Sequence, residues 1–163
     1  MATSAAEEDA AVARVEAAYG RHDLAAIRVE LAANLPSARV SSRCFDALVH
    51  EAVAPAVAAT VEVLLLVLEA VRRHAECVEV TKSAWLLAAQ LVSNNATLAT
   101  PAVENGALEL VLATVRGPRS GPAAVLAPLT VIFGLLGEEH AARAAQLGLV
   151  EVRCLDHHVS TTL

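Results

Sequence analysis

Aromatic side chains are nearly missing from this chain: Phe45, Phe133, Tyr19 and Trp85 are the whole set, 2% of its residues. Sheets favour β-branched and aromatic residues, whereas closely packed helices are served by small aliphatic ones. The frequent Val tempers that preference without reversing it. Lysine is scarcer still, with Lys82 the only one, and the arginines form no basic block. Nucleic-acid binding is disfavoured, because its affinity rests on clustered cations. Cysteines are few and widely spaced, at Cys44, Cys77 and Cys154, which is no disulfide framework. The first ten residues are acidic and lack the basic and apolar regions of a signal peptide. A reducing setting follows as the expectation: the cytoplasm, with the nucleus as the second choice. The match of Asn95-Ala-Thr97 to a glycosylation sequon is there a matter of chance. Nor is there a clean run of about 20 apolar residues such as a membrane span needs. Residues 63–68 are flanked by Glu62 and Glu69, and 121–137 carry Pro122, Pro128 and Gly134. Both segments read as buried helices rather than membrane spans.

What the chain does have is aliphatic bulk. Of 163 residues 56% are apolar and 18% charged, with a net charge of −6. That excludes disorder, and the length suits one domain. Self-similarity runs through its C-terminal two-thirds. Val63–Arg72 overlays Ala107–Arg116 at an offset of 44 residues, aligning Leu64/Leu108, Val67/Val111, Leu68/Leu112, Val71/Val115 and Arg72/Arg116. The four apolar pairs follow i, i+3, i+4, i+7 spacing, the buried stripe of a helix. Leu87–Leu91 overlays Leu129–Phe133 at an offset of 42, and both blocks lead to a glycine, Gly106 or Gly148.

Each period divides into three helical pieces. A short one, 96–104, ends before Asn105-Gly106 and holds Pro101, so two separate turns are an option. A second runs from 107 to 116 and closes at Gly117-Pro118; a third spans about 122–136. The next short helix spans 138–147, with Glu138 and Glu139 placed to suit the helix dipole. Residues 149–158 then open another second helix. Upstream, Ala5–Tyr19 reads as a helix ending at Gly20, and Asp23 is a good N-cap for Leu24–Asn34. Leu35-Pro36-Ser37 is a break, followed by a helix over 42–53 before Pro55.

Three helices per period of about 42 residues, with a glycine between a short first helix and a longer second, resembles the armadillo repeat. The resembling residues are Asn95–Gly106 with Ala107–Leu112, and in the preceding period Val67–His74 and Ser83–Leu87, which bears Trp85. The resemblance covers about residues 60–158 and implies an all-α fold, a right-handed α-α superhelix of about three to four repeats. The divisions expected are 1–59 as a degenerate N-terminal repeat or cap, 60–106 and 107–148 as repeats, and 149–163 as a truncated repeat. Two-helix HEAT repeats are the nearest alternative, and the glycine-bounded short helices favour armadillo. Armadillo proteins that hold extended peptides use third-helix asparagines one turn after a tryptophan. Here Ala89 and Gln90 follow Trp85 instead, so that asparagine ladder is lacking.

Chemistry-bearing residues are sparse. His74-Ala-Glu-Cys77 and Cys154-Leu-Asp-His-His158 are zinc-ligand types at short spacings. In a repeat stack, however, the two sets lie two layers apart, roughly 20 Å at about 8–10 Å per helix layer. No metal is expected, and no cofactor. Glu7, Glu8 and Asp9 are a terminal charge run, and Gly117–Gly121 lacks the Lys and Ser/Thr of a phosphate loop. Arg72, Arg73, Arg116 and Arg119 fall at the ends of second helices, where cations satisfy the dipole.

Trp85 has two readings: simple core packing, or a partly exposed aromatic on a concave face with Lys82 and Gln90 along the same helix. The second makes Lys82, Trp85 and Gln90 the candidate partner-binding residues. The expected function is a protein-interaction module or scaffold with a protein partner, not an enzyme. The rival expectations are a regulatory segment of a larger repeat protein, motivated by the uncovered last helix, and a small helical enzyme. An uncovered C-terminal repeat also suggests self-association there.

Overall fold

A computed structural model describes residues 4–51, 61–117 and 145–146. Among them are seven α-helices and no strand: α1 Ala5–Gly20, α2 Leu24–Ala33, α3 Ala38–Glu51, α4 Val61–Arg73, α5 Val78–Asn94, α6 Ala99–Glu104 and α7 Ala107–Arg116. A 3-10 turn, Ala96–Leu98, precedes α6. The helix expected over 122–136, that expected over 138–147 apart from residues 145–146, and the segment 147–163 lie outside the described residues.

Local chemistry sets the boundaries. Ser4 and Glu7 form a reciprocal capping box at the start of α1. At its end the αL position is taken not by Gly20, which stays helical, but by His22 (φ 54°). His22 N–H donates to Tyr19 O and Asp23 N–H to Ala18 O, the paired bonds of a Schellman stop. Asp23 then caps α2, its Oδ1 accepting from Ala26 N–H at 3.0 Å. Helix α3 begins one turn earlier than position 42, because the Ser37 hydroxyl accepts the Val40 N–H and serves as a cap directly after Pro36. The 96–104 stretch is two pieces. Pro101 falls in the first turn of α6, where a missing N–H costs nothing. Asn105 and Gly106 (φ 79°) turn the chain into α7.

The helices share one core. α3 packs against α5, and α2, α4 and α7 contact one another in succession on the other side, with α2 on α3 and α4 on α5. α1 covers α2 and α3, while α6 covers α4 and α7. The overlaid stripes of α4 and α7 are buried in common: Leu64, Val67 and Leu68 in one, Leu108, Val111 and Leu112 in the other. In α3 the buried set is Val40, Ser41, Cys44, Phe45, Ala47 and Leu48. Ion pairs lace the surface between helices, Arg14–Glu30, Arg39–Asp9, Arg43–Glu16 and Arg28–Glu62. Exposed pairs of this kind contribute a few tenths of a kcal/mol to about 1 kcal/mol each. They align helices more than they stabilise them.

Helix ends are also tied across the sequence. The His74 ring Nε2 lies 2.6 Å from the Leu35 carbonyl oxygen, joining the end of α4 to the α2–α3 loop. Arg72 donates to the Asn105 carbonyl at the α6–α7 turn. It thus serves the neighbouring turn rather than the last carbonyls of its own helix. Arg73 pairs with Glu69 at 2.7 Å. Arg116 is exposed, and Arg119 lies outside the described residues. No described helix is long and apolar enough to cross a membrane, and residues 121–137 fall outside that description.

Candidate functional site

Helix α5 separates the three candidate residues. Trp85 is fully buried, 0% exposed, and its indole Nε1–H donates to Thr114 Oγ1 on α7 at 3.1 Å. Thr114 passes the bond on to the Leu110 carbonyl at 2.9 Å. Core packing is therefore the role the structure gives Trp85, and the expectation of a partly exposed aromatic on a concave face is corrected. Its flanking Ala84, Leu87, Ala88 and Ala89 are buried with it. The cause is the breadth of the apolar stripe: α5 touches α3, α4 and the 3-10 turn together, so most of its circumference faces protein.

Lys82 and Gln90 lie elsewhere on the same helix, with Leu86 between them at four-residue steps. Such spacing puts all three on one face. Lys82 is exposed and has no ion pair among the described residues. Leu86 is 42% exposed. Gln90 is half-buried, and its Oε1 is shielded from solvent without a hydrogen-bond donor among the described residues. Leu86 is the member that sequence reasoning missed. The available signal was its four-residue spacing from both Lys82 and Gln90, obscured by the apolar run 84–89.

Alongside this stripe, Ser83 Oγ donates to Asp46 Oδ1 at 2.8 Å, fixing α5 against α3. A shallow hollow of about 390 Å³ lies between α1, α3 and the start of α5, lined among others by Arg39, Arg43, Cys77 and Glu79. Its arginines already pair with Asp9 and Glu16 of α1, so it offers no free anion site. Tyr19 and His50 meet at the far end of α3 with ring centroids 6.4 Å apart.

Nucleophile chemistry finds little support in the geometry. Burial, helped by the nearby negative charge of Glu30, pushes the Cys44 thiol up to about 12. A thiol so protonated is a poor nucleophile at neutral pH. The His74 ring is engaged with the Leu35 carbonyl rather than poised to activate Cys77. Among the described residues no three His, Cys, Asp or Glu side chains gather as a metal site. Cys154, His157 and His158 lie outside the described residues. Known protein families, curated proteins and solved structures yield no match to this chain.

Proposed function

We propose that the chain is a protein-interaction module of armadillo type, in which successive helix layers stack as a right-handed superhelix and α5 carries the contact face. The observation that carries this reading is the Lys82–Leu86–Gln90 stripe. An exposed leucine and an unpaired ammonium stand in line with half-buried Gln90 on a helix whose other residues are mostly buried. Contact surfaces concentrate apolar centres beside polar groups that await partners. The stripe suits a segment carrying a carboxylate opposite Lys82 and an apolar side chain over Leu86, with Gln90 at the edge of the contact. Support for the repeat comes from the shared stripes of α4 and α7, and from α2, where Ile27 and Leu31 are buried at the same four-residue spacing as Leu64/Leu68 and Leu108/Leu112. A scaffold rather than a catalyst is favoured by the dispersal of titratable groups into surface pairs.

The test is affinity capture with the purified full chain as bait, in parallel with Leu86→Asp, Lys82→Glu and the control Glu104→Gln. All four should give the same helical circular dichroism. The reading expects a protein retained by the wild type and the control and lost from both stripe variants. Retention by all four chains, or by none, would overturn it.

A further inference from the structure

On the other helix layer, α2 and α4 leave an open groove of about 680 Å³. Val29, 67% exposed, and Leu65, 37% exposed, stand over it, with Leu66 half-buried at its floor. Small Ala25 and Ala32 make the space. We infer that this groove is a self-association surface, its occupant the same groove of a second copy of the chain.

The rim charges select the occupant. Arg28 pairs with Glu62 at 2.7 Å, and Glu69 is held by Arg73 at 2.7 Å and by Arg72 at 3.6 Å. Both signs therefore border the apolar centre, three arginines against two glutamates. A strongly basic or strongly acidic partner would be attracted by one half of the rim and repelled by the other. A second copy brings the same apolar centre and the same two signs. About a two-fold axis, Arg28 of one copy can exchange its own Glu62 for the other copy's, keeping every charge paired. An isologous interface has to be self-complementary in this sense. With Arg72 and Arg73 the rim is close to neutral on a chain of net charge −6, so copies meet there with little like-charge repulsion. Two short helix faces fall at the low end of interface sizes, which places the dissociation constant roughly in the micromolar range.

Sedimentation equilibrium of the full chain across micromolar to millimolar concentrations tests this. The wild type should move from 16.9 kDa to twice that mass. Val29→Asp, at a site exposed enough to be safe for folding, should weaken association by about tenfold or more. Arg28→Glu should weaken it while leaving the apolar centre intact, and Arg28→Glu/Glu62→Arg should restore it by returning both signs to the rim. A wild type that stays monomeric throughout overturns the inference. So does a dimer indifferent to Val29→Asp and Arg28→Glu, which would locate self-association at another surface. The α5 stripe is untouched by these variants, so either proposal can fail alone.

Discussion

Replacing Trp85 asks whether this side chain belongs to the core or to a partner. The indole is fully buried and donates one hydrogen bond to Thr114. Truncation to alanine removes that burial and leaves a cavity among α4, α5 and α7, a loss of about 3–5 kcal/mol for Trp→Ala in a core. At about 2–4 °C per kcal/mol for a chain of this size, Trp85→Ala should lower Tm by roughly 6–20 °C. Thr114→Val keeps the volume but strands a buried N–H, costing about 1–3 kcal/mol. In a Trp85→Phe background no indole N–H is left to strand, so Thr114→Val should then cost less, with a coupling of about 1 kcal/mol. Thermal denaturation followed by far-UV circular dichroism reads each arm of the cycle. Fluorescence gives an independent readout because Trp85 is the only tryptophan. Its native emission should be blue-shifted and shielded from iodide. A Tm within about 2 °C of wild type for Trp85→Ala, or ready iodide quenching of the native chain, would refute the core assignment.

Two αL positions should respond in opposite directions. His22→Gly relieves a side chain held at φ 54° and should stabilise by a few tenths of a kcal/mol to about 1 kcal/mol, whereas Gly106→Ala, at φ 79°, should destabilise by about 1–2 kcal/mol; urea midpoints separate the two. Ser4→Ala removes the α1 capping box and should cost about 0.5–2 kcal/mol by the same measurement. Glu7 is held below the usual carboxylate range by the Ser4 backbone N–H and then its hydroxyl. The stability it lends is therefore present above the unfolded value and fades as pH drops through the folded one, an effect Ser4→Ala should reduce but not remove, since the backbone N–H at position 4 stays. Cys44 works at the alkaline end. The unfolded thiol ionises near 9.0 while the folded one holds its proton to about 12, so the unfolded chain binds fewer protons between those values. Stability should fall there by up to about 1.4 kcal/mol per pH unit. Cys44→Ala should flatten that slope, and native-state alkylation should label Cys77, half-buried, well ahead of Cys44.

Helix positions were legible where the signal is local. Asp23 and the Asn105-Gly106 pair act through neighbours within a few residues, and α1, α2 and α7 fall within a residue or so of their expected limits, while the 96–104 piece keeps its end and divides into a 3-10 turn and α6. α3 was misplaced because Ser37 looks like part of the Pro36 break until its hydroxyl is seen to accept from Val40. The αL residue after α1 has no glycine to mark it: the Schellman bonds put His22 there. The candidate face was legible only in part. Periodicity shows which residues share a helix face, and it does so for Lys82 and Gln90. It does not say how many neighbours surround the helix. Contacts with α3, α4 and the 3-10 turn are long-range facts, and they decide that Trp85 lies inside and Leu86 outside. The pairing of Trp85 with Thr114, 29 residues on, has no local signature at all.

The ties between distant helix ends bear on how the molecule comes apart. Leu35 is linked to His74, Arg72 to Asn105 and Trp85 to Thr114, so helices distant in sequence are fastened to one another by groups near their ends. Fraying at α7 would cast loose the Trp85 and Arg72 donors together, exposing the indole and the end of α4 in a single step. These fasteners couple neighbouring helices, so amides in α4 and α5 should exchange with solvent through one shared opening, as a single cooperative unit. Severing His74 from Leu35 or Trp85 from Thr114 should split that unit into two exchange regimes.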